Sequence, residues 1–458
     1  MSIKYETKNG WTAATEADKS AAFPYCEGYK AFVGAAKTER EAAAKAVALA
    51  KERGFVELCE KTALKAGDKV YFDNRGKSVA LAVIGQDTAQ GANIVAAHID
   101  SPRLDLKQNP LYEDTDLAFF KTHYYGGIKK YQWTTIPLAL HGVVIKGDGT
   151  AVEITIGEDA DDPVFCITDL LPHLADEQMK KTMKDAISGE GLNILIGSLP
   201  GSEDKDKVKS AVMGLLNEKY GIDEQDFISA ELEAVPAGLP RDIGFDRALV
   251  GAYGHDDRVC AYPALTGIFE TEAPLRTAIC VLADKEEVGS MGNTGMQSRF
   301  FENFLARILY LEKEGYHDLM LRDALHRSFC LSADVGAGID PSYKEATEPQ
   351  NAARLGYGLL ITKYTGSRGK AGSSDASAEL VGKVRRLFNE NGVLWQTGEL
   401  GKVDTGGGGT VAQYIANLGV ETLDCGVPLL SMHSPLEVAG KLDIYMAHKG
   451  YKAFYHAD

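Results

Sequence analysis

The apolar run Ala278-Ile279-Cys280-Val281-Leu282 stops at Ala283-Asp284-Lys285-Glu286-Glu287-Val288-Gly289, so two adjacent carboxylates stand at its end. Such a run reads as a strand of a parallel sheet buried on both faces, and few architectures accommodate one. In open α/β sheets ligands bind at the carboxyl ends of the strands. Neighbouring side chains leaving a strand point in different directions, so one can hold a metal while the other reaches a water beside it. A lone Glu-Glu pair is ordinarily a solvated turn. Here four other stretches also place His or Asp at the ends of elements: His98 with Asp100, Asp256 with Asp257, Asp334, and His433.

Around that strand the chain reads as α/β with one interruption. Residues 38–53 are alanine-rich, Thr38 and Glu41 form a capping box and Gly54 closes the helix. Residues 69–72 and 78–84, separated by Asp73-Asn74-Arg75-Gly76-Lys77, read as a hairpin, and 93–97 as a buried strand ending at His98. From Ser101 to about Pro240 the runs become short and alternating, as in 142–146 and 152–156, with acidic loops and one helical pattern at 205–220. The α/β rhythm then resumes, with strands expected at 277–283, 328–333, 357–363, 393–396 and 420–424 and helices at 256–269, 298–311, 374–389 and 410–418. Ser434-Pro435-Leu436-Glu437 has Ser at the N-cap, Pro at N1 and Glu at N3, and so predicts a last helix to about residue 448. The expectation is a discontinuous catalytic domain (1–100 and 241–458) interrupted by a β-rich domain (101–240).

Net charge narrows the partners. The chain of 458 residues carries −16, which argues against nucleic acid or an anionic membrane. Its seven cysteines are odd in number, scattered and without a Cys-x-x-Cys pair, so neither a disulfide framework nor a thiolate zinc site is expected. Met1-Ser2-Ile3-Lys4-Tyr5-Glu6 lacks the apolar core of a signal peptide, and no run approaches the ~18 apolar residues of a membrane span. A cytoplasmic protein is the expectation. Gly406 to Gly409 lack the Lys-Ser/Thr of a phosphate loop, and no Gly-x-Ser-x-Gly elbow is present.

Each candidate side chain has a plain alternative: His98 as a bonded structural histidine, Asp256 as a helix cap, Asp334 as a turn residue before Val335-Gly336-Ala337-Gly338. As a set they suit Zn²⁺, Mn²⁺ or Co²⁺, which take His nitrogen with carboxylate oxygen and leave a position open for water. In order, Ala97-His98-Ile99-Asp100-Ser101-Pro102-Arg103, Gly254-His255-Asp256-Asp257-Arg258, Asp284-Lys285-Glu286-Glu287-Val288-Gly289, Ser332-Ala333-Asp334 and Leu430-Ser431-Met432-His433-Ser434 resemble the motifs of the M18 metallo-aminopeptidases, a group that includes aspartyl aminopeptidase and yeast vacuolar aminopeptidase I. The resemblance spans nearly the whole chain, with Tyr125-Gly126-Gly127 and Gly408-Gly409-Thr410 also matching.

That resemblance implies a zinc-peptidase-like catalytic domain, its mixed sheet flanked by helices, interrupted by a β-rich dimerisation or lid domain. It implies two divalent ions per subunit, Zn²⁺ first with Co²⁺ or Mn²⁺ as alternatives: His98, Asp256 and Asp334 on one, Asp256, Glu287 and His433 on the other, and a water between them. Glu286 would be the general base for that water, and Asp100 would orient the His98 imidazole. The family often has Asp-Asn where this chain has Asp256-Asp257, which makes Asp256 the bridging ligand and Asp257 structural, with Asp257 as the alternative. The implied activity is release of an acidic or neutral N-terminal residue from peptides, by a homo-oligomer that is a tetrahedral dodecamer. His173, in Asp169-Leu170-Leu171-Pro172-His173-Leu174, resembles the stretch through which acid-preferring members reach a neighbouring protomer's substrate, and Lys363 is a second candidate for a substrate carboxylate. The competing readings are a two-metal deacylase or carboxypeptidase, and a metal-stabilised scaffold that would have no use for a base at Glu286.

Overall fold

The computed structural model describes Ile3 and residues 7–458, and the chain divides into two compact units. The rest of the 1–6 stretch read for a targeting signal lies outside the described residues. One unit comprises 1–100, 240–432 and 436–458, and the other 101–239 with 433–435.

The larger unit is built on a nine-stranded mixed sheet in the order Val56–Glu57, Lys69–Asn74, Ser78–Val83, Thr277–Ala283, Ala92–His98, Phe329–Ser332, Glu421–Gly426, Leu359–Thr362 and Trp395–Thr397. The four strands from Thr277–Ala283 to Glu421–Gly426 run parallel, while Ser78–Val83 and Leu359–Thr362 join them antiparallel on either side. Alternation along these strands feeds two cores. Val95, Ala97, Cys280 and Leu282 face the one shared with Tyr29, Phe32, Leu265 and Tyr451. Ile94, Ala96, Ile279 and Val281 face the other, with Phe301, Phe304 and Leu305. A strand covered on both faces has no use for a polar position, and burying each such Val, Leu or Ile side chain contributes ~1.5–3 kcal/mol. That is why residues 278–283 read as an unbroken apolar run.

The capping box of the alanine-rich helix is present, with Thr38 and Glu41 bonded reciprocally, and the helix spans Glu39–Glu52. The helix Glu16–Gly34 has no counterpart in the sequence reading, because Pro24 and Gly28 interrupt its pattern. Gly28 has a packing reason, since a Cβ there would stand 2.5 Å from the Tyr262 hydroxyl. The helix expected to start at Ser434-Pro435 is a correction. Glu437–Gly440 is instead a strand, paired with Leu249–Ala252 and Pro428–Leu430 in a second, five-stranded sheet, and the last helix is Lys441–Tyr455. Sheet pairing and burial of Glu437 and Ala439 override the local capping signal here.

The smaller unit carries an antiparallel six-stranded sheet in the order Ala151–Ile156, Leu138–Ile145, Ala230–Pro236, Arg103–Asp114, Leu117–Tyr125 and Ile194–Gly197. The helix Lys207–Tyr220 packs on it. Between Arg103–Asp114 and Leu117–Tyr125 the two-residue turn has Thr115 and Asp116 both at positive φ, as a type I′ hairpin requires.

Candidate metal centre

Three neighbouring parallel strands deliver candidate ligands of the larger unit at their carboxyl ends. Ala92–His98 ends on His98, Thr277–Ala283 leads into Glu286 and Glu287, and Phe329–Ser332 leads into Asp334. The helix His255–Phe269 brings Asp256 to them from an irregular start, with Gly254 at φ 74° and Asp256 and Asp257 outside helical φ/ψ.

His98 is the hub. Its Nδ1 lies 3.1 Å from the Asp100 carbonyl and 3.2 Å from Asp100 Oδ1, acceptors both, so Nδ1 carries the proton. Nε2 then faces Asp256 Oδ1 at 3.1 Å, Glu286 Oε2 at 3.9 Å and Asp334 Oδ1 at 4.0 Å. The ligand atoms of His98, Asp256 and Asp334 lie within 4.8 Å of one another, and so do those of His98, Glu286 and Glu287.

The charges gathered here favour a cation. Burial, with the charges of Glu286 and Asp257, pushes the Asp334 carboxyl well above the usual range. Burial opposes the charged form of His98, yet its bonds to Asp100 and Asp256 outweigh that and lift its pKa well above the ordinary value. A proton held on that imidazole between such carboxylates stands where a metal ion would bind. Asp334 Oδ2 is buried with no hydrogen-bond partner among the described residues, an acceptor of the kind a metal satisfies. The residues present therefore fit a divalent ion by donor type, charge and the unmet oxygen.

Asp257 and Asp100 have other tasks. Asp257 is buried and its Oδ2 accepts the His98 backbone N–H at 3.2 Å, which turns this carboxylate to the strand and leaves Asp256 facing the imidazole. Asp100 accepts the backbone N–H groups of Glu286 at 3.1 Å and of Glu287 at 3.2 Å as well as addressing His98. One fully buried carboxylate thus ties the ends of two strands together.

His433 groups with the smaller unit, at φ 64°, and its Nδ1 donates to the Gly127 carbonyl at 2.8 Å. That bond places the ring lone pair on Nε2. His173 lies exposed in the short 3₁₀ turn Pro172–Leu174. Lys363 follows the strand Leu359–Thr362 and is half-exposed, its Nζ 2.8 Å from Asp375 Oδ1, while Lys370 holds the other oxygen of that carboxylate.

Three supporting residues escape sequence reasoning. Glu437, which the capping reading assigned to a helix, accepts the Asp256 backbone N–H at 3.0 Å. Tyr29 and His255 are bonded to each other at 2.5 Å beneath Asp256. His255 lies inside a quoted motif, but its partner is 226 residues away and no local pattern reveals the pair.

The family described as Aminopeptidase I zinc metalloprotease (M18) matches residues 32–455. The chain is 52% identical over 456 residues to the probable M18 family aminopeptidase 1 of Clostridium acetobutylicum, covering 98% of each. It is similar to the crystal structure of an M18-family aminopeptidase from Thermotoga maritima, at 45% identity and TM-score 0.95 with 99% of each chain covered. The structure of the S. cerevesiae mApe1 dodecamer aligns with TM-score 0.77 over 95% of this chain and 97% of that one, and at 18% identity the likeness is one of fold.

Proposed function

Because the chain belongs to the M18 family of zinc metallo-aminopeptidases, we propose that it removes N-terminal residues from peptides with two divalent ions. His98, Asp256 and Asp334 would hold one, and Asp256, Glu287 and His433 the other, with Asp256 shared. When bound, the ions supply Lewis acidity to the scissile carbonyl and acidify the attacking water. Glu286 takes the proton from that water and returns one to the leaving amine. Its backbone amide, bonded to Asp100, fixes where the side chain starts. Asp100 and Gly127 hold the two imidazoles by Nδ1, so that each presents Nε2.

The observation that carries this reading is Asp334. A buried carboxylate with an oxygen that no donor reaches, crowded by other acids, is stable as an anion only beside a cation. The test is to strip the protein of metal and assay it on a panel of N-terminal aminoacyl amides while adding back Zn²⁺, Co²⁺ or Mn²⁺. Restored release of the N-terminal residue supports the reading, and hydrolysis indifferent to metal rejects it.

Specificity turns on whether a substrate carboxylate finds a cation. Lys363 is already engaged by Asp375, so an acidic N-terminal residue has to compete for it, whereas a neutral residue needs neither Lys363 nor His173. We place the protein in the cytoplasm, a reading supported by seven cysteines that are odd in number and scattered through the sequence. Among the described residues no helix is long and apolar enough to cross a membrane. Self-association into a homo-oligomer, as a tetrahedral dodecamer, completes the proposal. The dodecamer of the fold-sharing yeast protein supports it, as do Leu170, Leu171, Leu174, Met179 and Met183, apolar residues that lie exposed on the inserted unit. Sedimentation of the intact protein reads the assembly directly.

A further inference from the structure

The segment that presents Asp256 has few of the bonds a helix would give it. Gly254 is left-handed, and Asp256 (φ −77°, ψ 106°) and Asp257 (φ −116°, ψ 24°) leave the helical region, so the first turn has to be held by side chains. Each residue from 255 to 258 has such a tether. Asp256 N–H donates to Glu437, Asp257 accepts from His98 N–H, and Arg258 donates to the carbonyls of Ile99 and Lys37. The remaining tether is the His255 ring, fully buried in the larger unit.

The ring's two bonds define one tautomer. Nε2 lies 3.0 Å from the Val250 carbonyl, which can only accept, so Nε2 carries the hydrogen. Nδ1 then accepts from the Tyr29 hydroxyl at 2.5 Å, and the two rings stack at 5.6 Å between centroids. Tyr29 sits on the helix Glu16–Gly34, which supplies none of the candidate ligands. A residue fixed on both ring nitrogens immediately before Asp256 fixes the backbone from which that carboxylate projects.

We propose that Tyr29 and His255 form a positioning pair for Asp256, setting the carboxylate where it can address two ions. This rests on the reading of Asp256 as a metal ligand. Removing the Tyr29 hydroxyl frees Nδ1 and lets the His255 ring turn about its one remaining bond, so the error appears at the metal centre. The same helix carries a control four residues away. The Tyr25 hydroxyl is bonded to Thr266 at 2.7 Å, farther along the same helix that bears Asp256 and outside the segment 254–258.

The experiment compares Tyr29→Phe and Tyr25→Phe in the intact protein, by Co²⁺ titration, the visible absorption of the Co²⁺-loaded protein, and thermal melting. Tyr29→Phe is expected to weaken Co²⁺ binding ~10-fold, the lower end of the loss seen when a group behind a ligand is removed. It should also alter the Co²⁺ spectrum, and both should stay at wild-type values in Tyr25→Phe. His255→Asn should reproduce the Tyr29→Phe spectrum. Wild-type affinity and spectrum in Tyr29→Phe overturn the proposal, as do equal losses of metal or of fold in the two tyrosine variants. A wild-type protein that binds no stoichiometric Co²⁺ refutes the reading of Asp256 itself, a different result from a wild type that binds while Tyr29→Phe is indifferent.

Discussion

Replacing Asp100 by Asn tests the tie between the two strand ends. The carboxylate receives the amides of Glu286 and Glu287 on separate oxygens, at 3.1 and 3.2 Å, and lies 3.2 Å from His98 Nδ1. An amide of the same shape has one acceptor oxygen and presents NH₂ on the other side, so one turn amide loses its acceptor and meets a donor. A bond to an ionised group contributes ~1.5–3 kcal/mol and a buried donor left unmade costs ~1–3 kcal/mol. These describe one event from two sides, which gives a loss of about 2 kcal/mol in the metal-loaded protein. In the metal-free protein two further changes oppose each other, the first being that His98 loses the Asp100 carboxylate that supports its proton. Burial first, then the charges of Glu39 and Asp100, raises Asp284 to about 6, and removing the Asp100 charge relieves that repulsion. The assay is urea unfolding with and without ion, together with chelator competition for Zn²⁺. Affinity should weaken ~10–100-fold, and kcat should fall even at saturating ion because the Glu286 backbone is no longer held. A folded Asp100→Asn protein with wild-type affinity and kcat would refute the reasoning.

Glu286→Gln should keep both ions and lose at least the ~10²-fold in kcat typical of a missing acid/base group; near wild-type turnover removes it as the base. Asp256→Ala should cut metal stoichiometry at both positions while Asp334→Ala and His433→Ala each affect one, and equal stoichiometry in all three contradicts a shared ligand. For specificity, the ratio of kcat/KM for glutamyl and leucyl amides is measured in wild type, Lys363→Met and His173→Ala. A ratio moved toward leucyl by either substitution assigns that residue to an acidic substrate group, and a ratio untouched by both dismisses the pair. Burial pushes Asp443 up to about 7, against two N–H bonds from Gly356 and Gly358 that lower it. The folded protein then holds a proton that the unfolded chain has released, so stability falls as pH rises from about 4 to about 7. Asp443→Asn should flatten that slope in urea midpoints, and an unchanged slope would assign the proton elsewhere.

What can be read from the sequence follows from how local each cause is. The strand Thr277–Ala283, the helix after Thr38 and the hairpin around Asp73-Asn74-Arg75-Gly76-Lys77 each carry their reason within a few residues, and each is present. The ends of apolar runs likewise mark His98, Glu286, Glu287 and Asp334, because a polar side chain after a buried strand has nowhere to go but the sheet's edge. Ser434-Pro435-Leu436-Glu437 misleads for the complementary reason. Its capping chemistry is sound, but Glu437 is claimed by an amide 181 residues away. The helix Glu16–Gly34 is hidden by Gly28, whose reason is the Tyr262 hydroxyl. Tyr29 has no local sign at all. Candidate ligands announce themselves by type, whereas the groups that hold them in place are chosen by partners the sequence does not align.

The strand order sets when this protein can exist during synthesis. Ala92–His98 pairs only with Thr277–Ala283 and Phe329–Ser332, and the hairpin before it docks through Thr277–Ala283 as well. The inserted unit pairs its strands among themselves, apart from the short piece 433–435 that groups with it. A nascent chain that has emerged to about residue 240 therefore has the sheet of that unit complete, while His98 ends a strand whose two hydrogen-bonding edges are open. Those edges wait for some forty further residues on one side and about ninety on the other, ~2 to ~18 s at ordinary elongation rates. That interval, with a largely apolar strand and no neighbour, is when the chain is most exposed to pairing with another copy of itself.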